Sequence, residues 1–242
     1  MITPKLVTDD SLASKFYYIR SLNNLSFVKD VNSVYQSVSK CCCDALGWNS
    51  TEDAIDKTDY DIPSDISLLA DHFINLDKQS FAKNSKILTL DINNFQDVQE
   101  TFLVEKMPLF NHDGDIIGIY GNVLDVSNVN FFKYGAMLSR EDQKIAPLHK
   151  VTSYVLSGAH SPLPLTDRQQ ECVFFLIRGK TAKEIANILM LSVRTVESYI
   201  EAIKYRLGCT HKSQIVEKAI NSKFLYYIPE SLLKANPSKI IA

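Results

Sequence analysis

"KTAKEIANILMLSVRTVESYI", residues 180–200, carries two apolar stripes at helical spacing with a few residues between them. Ile185, Ala186 and Leu189 make the first stripe; Val196 and Ile200, continued by Ile203, make the second. Neither stripe is long enough to be stable alone in water, so each must bury its apolar side against something. The outer side of the second helix then faces solvent with Arg194, Thr195, Ser198, Glu201 and Ala202. What that polar side is for decides how the chain is read.

Start and stop signals frame these helices. Thr181 with Glu184 fits a capping box opening 182–189, and Ser192 is the natural N-cap of a helix ending at about Leu207, where Gly208 stops it. Upstream, Thr166 with Gln169 opens a helix closed by Gly179; downstream, Thr210 is expected to cap a fourth over 211–223. Val196, Ile200, Ile203 and Leu207 form one continuous ridge. It can pack on Val173, Leu176 and Ile177, on Ile185 and Leu189, and on Ile215, Val216 and Ala219. Two short helices joined by a tight turn, the second held steeply by a shared core, make a helix-turn-helix. A second helix so held fits the major groove, with its N-terminal residues at base edges.

"PLTDRQQECVFFLIRGKTAKEIANILMLSVRTVESYIEAIKYRLG" resembles the DNA-binding domain of LuxR-type transcription regulators. The resemblance rests on Leu165, Thr166, Arg168, Gly179, Lys183-Glu184-Ile185-Ala186, Leu189, Ser192, Thr195-Val196-Glu197, Ile203, Arg206 and Leu207, and covers about the last third of the chain. It departs at Gln169, where Glu is usual, and at Tyr199, where His is usual. It implies base contacts by Glu197, Ser198 and Glu201 with Arg194 and Thr195 beside them. Lys180, Lys183, Tyr199, Lys204 and Arg206 would meet the phosphates. Chemically, Glu can accept from cytosine N4 and Ser can pair with several base edges, while the cations offset the repulsion between two glutamates and a phosphate backbone.

Charge splits the chain. Residues 161–242 hold 12 Lys/Arg against 7 Asp/Glu, whereas 1–160 hold 14 against 21. A basic C-terminal part on an acidic N-terminal part suits a polyanion-binding tail on a different kind of module, although the whole chain is only −2. "SGAHSPLPL", residues 157–165, with two prolines, is the clearest boundary. The 242 residues are 45% hydrophobic and 22% charged, with no apolar run approaching the roughly 20 residues that span a bilayer. The first residues carry acids where a signal peptide needs an apolar stretch, and five cysteines without a C-x-x-C pair suit a reduced setting. A cytoplasmic location is expected.

Residues 1–127 mix strands and helices. "TFLVEKMPLFNHDGDIIGIYGNVLDVS" (101–127) reads as two long strands joined by Asp113-Gly114, and "ISLLADHFINLDKQSFAKN" (66–84) is helical. Between the modules, "REDQKIAPLHKVTSYVL" (140–156) reads as an amphipathic connecting helix. The Phe27-Val28-Lys29-Asp30 strand, Gly47-Trp48 ending a helix, "DKTDYD" and the 111–127 hairpin resemble a PAS domain over roughly residues 13–127; "VNSVYQ" at 31–36 replaces the usual glycine-bearing turn. The resemblance implies a five-stranded antiparallel sheet with flanking helices around a small pocket whose ligand the sequence does not name.

Cys41-Cys42-Cys43 point about 100° apart along a helix, which suits packing and an exposed thiol rather than one metal. His72, a lone histidine, reads as structural. No metal spacing, identifiable cofactor, phosphate-cradling loop or nucleophile–base pair is seen, so an enzyme is not expected. The expected chain is an α+β protein: a PAS-like sensor or dimerisation domain (1–127), a helical linker (128–160) and a four-helix output domain (161–242). Its expected function is that of a dimeric regulator binding double-stranded DNA, with a small molecule or a protein partner at the PAS-like domain. Two alternatives stand beside it: an acyl-homoserine-lactone sensor on the same DNA-binding output, and an interaction module that no longer reads DNA.

Overall fold

In the computed structural model, residues 12–95, 98–126, 151–156 and 158–234 are described. They divide into two compact units, one reaching to Asp125 and including Thr152, the other holding Val126 and Ser153 onward.

The first unit is organised by β4 (Val98–Phe110) and β5 (Ile116–Asp125), paired antiparallel around the expected turn. Gly114 takes the left-handed conformation there at φ 86°, and the Asn111 side-chain oxygen accepts the backbone N–H groups of Asp113 and Asp115 at 3.0 and 2.8 Å. On one side β5 pairs with β1 (Leu25–Asp30), which pairs with β2 (Tyr35–Val38); on the other, β4 pairs with β3 (Ile87–Phe95). All four pairings are antiparallel, in the order β2-β1-β5-β4-β3.

The β1–β2 turn closes without glycine. Asp30 accepts the backbone N–H groups of Asn32 and Val34 at 2.8 and 3.0 Å, and buried Ser33 adopts φ 63°. One face of the sheet is closed by α2 (Lys40–Leu46) and α3 (Ala70–Lys83), after the short α1 (Leu12–Lys15). Ser39 caps α2 by accepting from the Cys42 N–H, and Gly47 ends it at φ 92°. Trp48 packs edge-on against Tyr35 at 5.2 Å in a core with Phe27, Val38, Cys43 and Ile62.

Two expectations need correction. Residues 140–150 of the connecting helix lie outside the described residues, as does most of the 128–160 linker, but Val151–Val155 form a strand, β6. The sheet therefore has six strands rather than five, with β6 beside β3. "VTSYV" is rich in β-branched and aromatic residues, which fit a pleated surface better than a helix, and it covers what would be a long bare edge at β3.

The second unit holds the four expected helices: α4 (Asp167–Leu176), α5 (Ala182–Leu189), α6 (Val193–Leu207) and α7 (Lys212–Asn221), followed by the short α8 (Glu230–Lys234). Each boundary has a local cause. Glu184 accepts the Thr181 backbone N–H at 2.8 Å, Ser192 accepts from Thr195 N–H at 3.0 Å, and Gly208 ends α6 at φ 61°. At α7 the N-cap is His211 rather than Thr210, and the Gln214 side-chain oxygen accepts the N–H groups of Thr210 and His211 at 2.7 and 3.2 Å.

Ile185, Val196, Ile200, Ile203 and Ile215 are wholly buried, and Leu207 is buried at the end of the ridge; Leu176, Leu189 and Val216 are half-buried. Each fully buried aliphatic side chain contributes about 1.5–3 kcal/mol. Ile228 donates to the Val155 carbonyl at 2.9 Å, and the Tyr227 hydroxyl reaches Gln170 at 2.8 Å, fastening the segment after α7 to this core. Among the described residues no helix is long and apolar enough to cross a membrane.

Candidate nucleic-acid interface and sensor cavity

The outer side of α6 follows from its inner side. Because Val196, Ile200 and Ile203 are wholly buried, helical geometry turns Arg194, Glu197, Ser198 and Glu201 outward, and all four are exposed; Thr195 is half-buried. The Ser198 hydroxyl donates to the Arg194 carbonyl at 2.9 Å, an exposed contact that a base edge can replace. Thr195 and Ser192 share a hydroxyl contact of 2.8 Å at the helix start.

Lys183 and Arg206 are exposed, whereas Lys180, Tyr199 and Lys204 are half-buried. Lys204 forms an ion pair with Glu201 at 2.8 Å, so the residue expected at a phosphate and the residue expected at a base are paired with each other. Tyr205, overlooked by pattern reading because it falls off the apolar ridge, is 90% exposed beside Arg206. The turn before α6 is tight: Met190 takes the left-handed conformation at φ 57°, and Leu191 donates back to the Ala186 carbonyl at 2.9 Å. The face is thus a mixed-charge helix side on a buried apolar base, able to offer donors and acceptors to a groove.

The first unit contains a cavity of about 400 Å³, within the range that takes small ligands. Aromatic and aliphatic walls come from Phe27, Tyr35, Ile62, Phe73, Phe102 and Val104. At one end lies a buried chain of charges. Lys29 of β1 holds both Asp59 oxygens at 2.7 and 2.5 Å and approaches Asp77 at 3.4 Å; Lys106 of β4 holds the other Asp77 oxygen at 2.6 Å. The Tyr35 hydroxyl donates to Asp59 at 2.8 Å.

Burial pulls the Lys29 ammonium down, but Asp59 and then Asp77 outweigh it and the net shift is upward. Burial would raise the Asp77 carboxyl; Lys106 and then Lys29 hold it below its ordinary value. Tyr35 is pushed well up by burial and Asp59, so its hydroxyl stays protonated. Cys42 lines the cavity as a thiol pushed up to about 12 by burial and its cysteine neighbours; Cys43 is buried beside it and Cys41 exposed. His72 is half-buried, its ring 6.0 Å from Phe73.

This charge chain has a signal in the sequence, in the spacing of its residues rather than in the motifs that carry the family resemblance. Lys29 follows Leu25 and Phe27 in a two-residue alternation, Lys106 follows Phe102 and Val104, and Asp77 stands in the helical row of Ala70 and Phe73. Charges on inward-facing positions mark a buried polar site.

Comparison with known proteins agrees with both halves of this geometry. Residues 163–219 match the model of the bacterial regulatory proteins of the luxR family, and residues 19–130 match a PAS fold. The chain joins a PAS-fold unit to a LuxR-family domain. Among curated relatives, the transcriptional activator protein AhyR of Aeromonas hydrophila is 34% identical over 77 residues, 32% of this chain and 30% of that one. The transcriptional activator protein SolR of Ralstonia solanacearum is 43% identical over 56 residues, 23% of this chain and 24% of that one. The chain thus spans less than a third of the length of these relatives.

Among solved structures, Vibrio cholerae VqmA, a LuxR-type receptor, overlaps 93% of both chains at 24% identity with a TM-score of 0.46. The PAS domain of Bordetella pertussis BvgS overlaps 55% of this chain and 99% of its own at 15% identity with a TM-score of 0.43. In the LuxR-family domain, α5 and α6 are the helix-turn-helix; in the PAS-fold unit, the cavity lies between the sheet and the α2–α3 side.

Proposed function

We propose that the chain is a DNA-binding transcription regulator whose PAS-fold unit receives a signal and whose LuxR-family domain reads double-stranded DNA as a homodimer. The observation that carries this reading is the exposed row Arg194, Glu197, Ser198 and Glu201 on a helix anchored by three wholly buried side chains. Glu197, Ser198 and Glu201, with Arg194 and Thr195, face the bases; Lys180, Lys183, Tyr199, Lys204 and Arg206 meet the phosphates. Two copies place their α6 helices in half-sites about one helical turn apart.

The chain divides functionally into a sensor (1–127), a connecting segment (128–160) and an output domain (161–242), works in the cytoplasm and has no catalytic role. The names of the relatives, both transcriptional activators, support regulation of transcription. The cavity makes a small molecule the favoured signal, and the PAS fold favours this reading over an acyl-homoserine-lactone sensor.

Titration of duplex DNA at several salt concentrations tests this. The expected result is binding that weakens linearly in log–log form as salt rises, with Arg206→Ala reducing the slope by about 1. A chain that fails to bind duplex DNA even at low salt contradicts the reading and leaves the interaction-module alternative.

A further inference from the structure

Among the described residues no large apolar side chain is more open than Tyr205, 90% exposed near the end of α6. A ring so open adds nothing to the core, yet its position is not arbitrary. Arg194, Ser198, Glu201 and Tyr205 follow one another at intervals of four, three and four residues. The buried ridge Val196, Ile200, Ile203 and Leu207 has the same intervals, and each outward residue stands two positions before a buried one. Two positions on a helix are about 200° of rotation, so the two rows lie on opposite sides and Tyr205 is the fourth member of the outward row. The backbone that carries it is held: the Gly208 N–H returns to the Tyr205 carbonyl at 3.3 Å, and Lys218 of α7 donates to the Leu207 carbonyl.

From Arg194 to Tyr205 the row is roughly 16 Å long at the helical rise of 1.5 Å per residue, whereas the major groove is about 12 Å wide. With the N-terminal residues of α6 at base edges, the last member of the row stands at the groove's rim, where the phosphates lie. A tyrosine is longer than Ser198 or Glu201 and carries an O–H donor, and such hydroxyls take part in positioning contacts to phosphate oxygens. We infer that Tyr205 is a DNA-backbone contact, its hydroxyl donating to a phosphate at the rim of the groove that α6 enters, and that it sets affinity without reading sequence. This deepens the DNA-binding reading and rests on it.

Fluorescence anisotropy of the full chain with duplex DNA of arbitrary sequence, at several salt concentrations, tests this on Tyr205→Phe and Tyr205→Ala. Tyr205→Phe removes only the hydroxyl and is expected to weaken binding about three- to tenfold at every salt concentration, with Tyr205→Ala at least as weak. The slope of affinity against salt should not change, because a neutral hydroxyl releases no counterion, in contrast to Arg206→Ala. The motif each variant enriches from a random pool should be the parent's, since a phosphate contact carries no sequence information. Both variants should keep the parent's melting temperature, because the side chain is exposed. Tyr205→Phe binding like the parent, a reduced salt slope, an altered motif, or a loss of affinity that comes with a lowered melting temperature would overturn the assignment. A parent chain that binds duplex DNA beside a variant equal to it removes this inference alone. A parent chain that binds no duplex removes the regulatory reading and this inference with it.

Discussion

Glu201 and Lys204 hold each other at 2.8 Å on the outer side of α6. In the proposed DNA reading Glu201 meets a base and Lys204 a phosphate; Lys204 holds one Glu201 oxygen and leaves the other able to accept. Glu201→Gln is expected to raise affinity for arbitrary duplex at low salt, by removing a negative charge near phosphates, while flattening base preference at one position. Unchanged preference would take Glu201 out of the base-reading set. In the sensor unit Asp77 bridges both buried lysines and is itself wholly buried. Asp77→Asn is expected to cost about 3–5 kcal/mol in chemical denaturation, because it leaves two ammonium groups undercompensated. The sign of the pH dependence follows from the shifts. Asp77 is lowered, so its contribution is present above the ordinary carboxylate value of about 3.9 and is lost as pH falls through its folded value. Lys29 is raised, so its contribution is present below about 10.4 and is lost as pH rises through its folded value. Stability of the sensor unit should therefore be flat at neutral pH and fall at both extremes, with Asp77→Asn showing a shallower acid limb.

At the scale of elements, the helices of the LuxR-family domain were legible because each has a local cause: Thr181, Ser192 and Gly208 sit where caps and stops are found. The Asp113-Gly114 hairpin was legible for the same reason. β6 was not. Five residues spaced to satisfy a helical pattern took the strand that a neighbouring edge offered, a tertiary effect that no short window contains. Met190 was not legible either, since a methionine in the left-handed conformation breaks a local preference that glycine satisfies. Its side chain is 70% exposed, so Met190→Gly is expected to stabilise the chain by about 0.5–1 kcal/mol, read as a raised denaturation midpoint with unchanged slope. Ile200→Ala, at the centre of the ridge, should instead cost about 2–5 kcal/mol and weaken DNA binding through loss of the helix's seat. In the sheet, a Cβ on Gly121 would lie 2.1 Å from the Phe27 ring, so Phe27 can line the cavity only over a glycine.

For the molecule as a whole, the split between an acidic N-terminal part and a basic C-terminal part was visible in residue counts, and so was the outward face of α6. A pocket was implied by the PAS resemblance, but its lining was not legible, because it is assembled from residues as far apart in sequence as Leu25 and Asp125, and only the strand register brings them together. The account depends on the polar side of α6 reading double-stranded DNA. Selection of bound duplexes from a random pool, run in parallel on the full chain and on Ser198→Ala and Glu201→Ala, tests this most directly. The account predicts that the parent chain enriches a two-fold symmetric motif, and that each variant relaxes it at one position per half-site with a loss of about 1–3 kcal/mol of discrimination. A parent chain that enriches no motif, or variants that recover the same motif as strongly, would contradict it.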